Sequence, residues 1–158
     1  MLLTYCGLYY SGNIGISIED INFKQRDKLP LFGTNYLVNG VSDGRCLYVG
    51  IMYKIDFSDA NYFLYVNRDG LSIGWHLLQS GEITEEDGLI EFDCGKYGKG
   101  YVSLNKDNYI QKIEYGEGWE PSIRENINRP IIARSDEVIH FYDANGNVVV
   151  PNKYVVLH

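Results

Sequence analysis

Leu47-Tyr48-Val49-Gly50-Ile51-Met52-Tyr53-Lys54-Ile55 decides the fold class. Leu47, Val49, Ile51, Tyr53 and Ile55 recur at every second position, so an extended chain places them on one side. The other side, Tyr48, Gly50, Met52 and Lys54, is only half polar. A strand apolar on both sides belongs in the middle of a sheet, with neighbours on each edge.

Tyr62-Phe63-Leu64-Tyr65-Val66 follows, then Asn67-Arg68-Asp69-Gly70, then Leu71-Ser72-Ile73-Gly74-Trp75-His76-Leu77. Two alternating runs joined by a turn that ends in Asp-Gly predict a hairpin with Trp75 in the core. A second hairpin is predicted over Tyr101–Leu104, turn Asn105–Asn108, and Tyr109–Ile113. A third covers Val138–Tyr142, turn Asp143–Asn147, and Val148–Val150. Pro151 stops that strand or marks an edge, and Tyr154-Val155-Val156-Leu157 supplies one more strand. Met1–Tyr10 is apolar without a basic leader and is interrupted by Gly and Tyr, so it reads as a strand and not a signal peptide.

Helix signals are few. Glu120–Asn126, with Pro121 near its start, suits one or two turns, and residues 19–28 suit a loop or short helix. Neither is long enough to cover a sheet, so sheet must pack on sheet. The expectation is one all-β domain over residues 1–158. It would be an antiparallel β-sandwich or barrel built from hairpins, with at most one or two short helices. Composition agrees, with 14 Tyr and 17 Gly among 158 residues.

The net charge of −7 is concentrated. Residues 80–128 hold eleven acids against five bases, while residues 1–79 hold seven against six. No basic footprint for nucleic acid is present, and no apolar run reaches the roughly 18 residues of a membrane helix. Cys6, Cys46 and Cys94 are odd in number and widely spaced, which predicts free thiols in a reducing compartment. The thirteen Asn form no N-x-[ST] site, so the expected location is the cytoplasm or a virion assembled there.

Motifs for chemistry are incomplete. Gly40-Val41-Ser42-Asp43-Gly44 spells G-x-S-x-G, but it lies between two strand-like runs and lacks the helix that a nucleophile elbow needs. Cys94-Gly95-Lys96-Tyr97-Gly98-Lys99-Gly100-Tyr101 is rich in glycine yet leads into a strand, so it reads as a β-loop and not a phosphate cradle. His76 and His140 lie opposite the apolar faces of their strands, and His158 is the last residue. Glu85-Glu86-Asp87 and the pair Asp56 and Asp59 lack the order of a calcium loop and read as solvated turns. No catalytic residue, metal ligand or cofactor is assigned.

The aromatic surplus points to binding. So many tyrosine hydroxyls need partners or solvent, and Trp119 lies in the loop-like segment Tyr115–Pro121. Trp119, Tyr115, Tyr97 and Tyr101 are therefore the candidate binding residues. The leading expectation is a non-catalytic β protein acting through protein–protein contacts or self-association, such as a phage virion component. The alternatives are a carbohydrate-binding module that stacks sugars on these rings, and an inhibitor or immunity protein that presents the acidic stretch to a basic partner.

Overall fold

The computed structural model describes residues 14–15, 18, 21–22, 25, 36–42, 46–56, 58–67, 74–105, 109–116, 122–124, 130–134 and 136–157. Met1–Tyr10, Leu71–Ile73 and Trp119, all named above, lie outside these residues. The chain divides into two compact units, Met1–Glu82 and Ile83–His158. Among the described residues no helix is long and apolar enough to cross a membrane.

The first unit holds a five-stranded sheet. Its strands are β1 (Ile14–Gly15), β2 (Tyr36–Ser42), β3 (Leu47–Lys54), β4 (Ala60–Asn67) and β5 (Trp75–Glu82), in the order β1-β5-β4-β3-β2. Every neighbouring pair is antiparallel. As its two apolar sides require, β3 lies inside the sheet, and Leu47 to Met52 are buried on both faces. Ile55 departs from the expectation: β3 ends at Lys54, so Ile55 falls in the following turn and is exposed. Strands β4 and β5 pair antiparallel as predicted, with a register shift between Leu64 and Tyr65. However, β5 starts at Trp75 and runs to Glu82, not over Leu71–Leu77, and the Arg68–Gly70 part of the predicted turn lies outside the described residues.

One face of this sheet carries Tyr36, Tyr48, Met52, Phe63, Tyr65 and Trp75, packed with Ile21. Ile18, Ile21, Asn22 and Gln25 are helical, in line with the short helix allowed for residues 19–28. Their polar members satisfy the buried phenols. Tyr48 donates its hydroxyl hydrogen to Asn22 Oδ1 at 2.8 Å, and Gln25 Nε2 donates to the Tyr65 hydroxyl. Without such partners each buried hydroxyl would cost about 1–3 kcal/mol.

The second unit is a sandwich of two four-stranded sheets. The first contains β6 (Ile90–Asp93), β7 (Lys99–Val102), β10 (Ile131–Ala133) and β13 (Lys153–Val156), in the order β10-β7-β6-β13. The second contains β8 (Lys112–Tyr115), β9 (Ser122–Arg124), β11 (Ile139–Tyr142) and β12 (Val148–Val149), in the order β12-β11-β8-β9. Leu89, Tyr101, Ile131 and Ala133 from the first layer meet Ile110, Ile113 and Phe141 from the second. The Tyr101 and Phe141 rings lie 5.1 Å apart between centroids. Neither sheet closes into a barrel.

Two expectations fail here for physical reasons. The predicted hairpin over residues 101–113 does not pair with itself, because β7 and β8 belong to different sheets. Its turn signal is nevertheless real. Asn105 has φ 46° and is buried, its Oδ1 accepts from Ile110 N at 2.9 Å, and its Nδ2 donates to Ile110 O at 3.2 Å. The side chain thus stands in for a strand partner while the chain crosses between layers. The other failure is Glu120–Asn126, where Ser122–Arg124 forms β9 against β8 and not a helical turn. Pairing with an available strand edge outweighs weak local helix propensity.

The third hairpin forms as predicted. Asp143 Oδ1 accepts from Asn145 N and Asn147 N, each at 2.8 Å, and Gly146 takes φ 80°. Those amides hold the Asp143 carboxyl below the ordinary carboxylate range, with Asn147 N contributing most. Strand β13 also forms as predicted, although it runs parallel to β6.

Candidate functional site

Of the four aromatic candidates, the three described residues occupy different positions in the second unit. Tyr97 sits in the short 3-10 turn between β6 and β7, half-buried, with Lys96 Nζ 5.2 Å from its ring centre. Tyr115 ends β8 and packs its partly buried ring against the sandwich core. Tyr101 is itself part of that core. Burial, and then the neighbouring Glu91 carboxylate, push its hydroxyl well above the ordinary tyrosine range. Its ring is committed to packing, and its hydroxyl to Glu91.

The incomplete motifs serve local structure. Gly40 to Ser42 lie within β2. A Cβ on Gly40 would fall 2.1 Å from the Tyr48 hydroxyl, so this glycine lets the Tyr48 ring lie across the sheet. The glycine-rich loop turns at Gly95–Tyr97 and runs into β7, as its sequence predicts. Gly98 has φ 105°, and a Cβ there would lie 2.5 Å from the Ala133 carbonyl oxygen. Cys94 is a buried free thiol, pushed up to about 12 by burial and by Asp93.

The acidic clusters also close turns. Asp56 Oδ1 accepts from Ser58 N and Oγ, while Asp59 accepts from the Tyr36 hydroxyl. That bond, with burial, pushes Tyr36 up to about 12. Asp87 Oδ2 accepts from Thr84 N at 2.7 Å and caps the 3-10 turn Glu85–Asp87. His76 lies in β5 and is half-buried, and His140 is exposed on the outer side of β11. Among the described residues, no group of three or more His, Cys, Asp or Glu is placed to hold a metal ion.

The surface that stands out lies on the C-terminal edges. Strand β13 ends the first sheet of the sandwich and β12 ends the second. On them and between them Val148 is 56% exposed, Val150 63%, Tyr154 63% and Val156 61%. Register explains the exposure on β13. Ile131, Tyr101, Glu91 and Tyr154 lie directly opposite one another in sequence across β10, β7, β6 and β13, hence on one face. The second layer covers that face at Ile131 and Tyr101 but leaves Tyr154 open, so β13 overhangs the sandwich.

Natural edge strands are blunted by prolines, lysines, bulges or covering loops. Here Pro151 and Lys153 stand only at the beginning, and Tyr154-Val155-Val156-Leu157 carries no charge. Lys153 Nζ lies 3.9 Å from Asp87 Oδ1, so the one cation of the strand is paired within its own molecule. The strand and its Pro151 edge signal are legible in the sequence; the overhang is not, because exposure on β13 depends on where the second layer stops.

No family model matches the chain, and neither a curated protein nor a solved structure matches it.

Proposed function

We propose that this chain is a non-catalytic β protein that acts through protein–protein contacts, as a self-associating subunit of a larger assembly such as a phage virion. The observation that carries this reading is the exposed C-terminal edge at Val148, Val150, Tyr154 and Val156, where Lys153 is the single charged residue. Grouped apolar exposure beside an open strand edge is costly in a permanent monomer, because it invites unspecific pairing. A subunit that buries the edge in its assembly removes that cost. Apolar burial and backbone pairing depend little on ionic strength, unlike contacts between exposed charges.

The test is the solution mass by light scattering, at low salt and again at about 0.5 M salt, where the Debye length is only a few ångströms. The expected result is an oligomer with the same mass in both conditions. A monomer in both would contradict the proposal.

A further inference from the structure

Resting on that reading, we infer that β13 is a two-fold self-pairing edge: it docks antiparallel against β13 of a second copy, with the axis at Val155. The two four-stranded sheets would then join into one continuous sheet of eight strands. Three observations select this occupant.

The first is backbone supply. Among the described residues β13 pairs only with β6, so its outer edge offers N–H and C=O groups to a strand. A second copy brings the same open edge, and a two-fold contact uses one surface twice.

The second is side-chain register. Directly opposed residues of an antiparallel pair share a face, so a two-fold pairing must join positions of the same parity. With the axis at Val155, Tyr154 of each copy faces Val156 of the other, and Val155 faces itself. Both residues of the Tyr154–Val156 pair lie on the overhanging face and are more than half exposed. An aromatic ring opposite a β-branched side chain is a favourable cross-strand pair.

The third is charge. The chain carries −7 overall, and like-charged copies repel over most of their surfaces. The edge is the exception: its single charge, Lys153, is bridged to Asp87 and falls opposite Leu157 of the other copy, not opposite its own equivalent. A basic partner would be drawn to the acidic surfaces elsewhere and would gain nothing from this edge.

The test uses Tyr154→Lys, Val156→Glu and the double variant in the full chain, with circular dichroism confirming the native spectrum of each. Light scattering across a concentration series reads the association. Each single change places a charge opposite an apolar residue of the other copy, and is expected to weaken pairing about tenfold or more. The double variant places the introduced lysine of one copy opposite the introduced glutamate of the other, twice per interface. It should recover most of the lost association, and that recovery should fall as salt rises. A monomeric wild type would overturn both this inference and the assembly reading. An oligomer indifferent to both single changes would overturn the β13 contact alone. Weakened single variants without recovery in the double would overturn the register.

Discussion

Replacing Asn105 by alanine tests the element that carries the chain from one layer of the sandwich to the other. The alanine removes the acceptor for Ile110 N and the donor to Ile110 O, both at a buried residue. Each backbone group left without a partner costs about 1–3 kcal/mol, or about 2–4 kcal/mol together if the pair relaxes somewhat. Position 105 also has φ 46°, a left-handed conformation that costs a residue with a Cβ about 1–2 kcal/mol unless its side chain compensates, as asparagine does. The expected loss is therefore about 3–6 kcal/mol, a large part of a stability of about 5–15 kcal/mol. With a urea slope of about 2 kcal/mol/M, the midpoint falls by about 2 M. Asn105→Gly loses the same two bonds but not the backbone conformation, and should retain about 1 kcal/mol more than alanine. Urea unfolding followed by circular dichroism measures all three proteins. An alanine variant within about 0.3 M of the wild-type midpoint, or one more stable than the glycine variant, would refute the reasoning.

Gly98, Gly95, Tyr36 and Cys94 each give a further expected outcome. Gly98→Ala should cost about 2–4 kcal/mol in urea unfolding, because φ 105° and the Ala133 carbonyl at 2.5 Å exclude a methyl group. Gly95→Ala, at φ 59° with open space around it, should cost only about 1 kcal/mol. The Tyr36 phenol should ionise at about 12 and not at 10.0, a shift read as the phenolate absorbance lost in Tyr36→Phe. Because the folded value is raised, this group's stabilisation is complete below pH 10 and is lost as pH rises towards about 12. Cys94 should resist alkylation at neutral pH until the protein unfolds, as mass spectrometry of the labelled peptide would show.

The fold was most legible where local signals and tertiary needs coincide. Leu47–Lys54 is apolar on both sides and became an inner strand; Asp143–Asn147 has full turn chemistry and became a tight turn. The failures lie where a local signal has two outcomes. Asn105 marks a reversal of direction equally well for a hairpin and for a crossing between sheets, and only the strands competing for β7 and β8 decide between them. Glu120–Asn126 has a helix-start proline, but β8 offers Ser122–Arg124 a free edge. The candidate surface was half legible. Pro151 and the valine-rich tail signal an edge, whereas the exposure of Tyr154 and Val156 requires knowing that the second layer ends before β13. Tyr101 shows the converse, since its place in the core depends on Phe141, forty residues away in sequence.

The central claim, that the C-terminal edge is buried between molecules, is tested most directly by hydrogen exchange at two protein concentrations. Amides of Lys153–Val156 that face away from β6 should exchange more slowly in the concentrated sample, while amides in the inner strand β3 stay unchanged. Exchange at Lys153–Val156 that is fast and identical at both concentrations would contradict it.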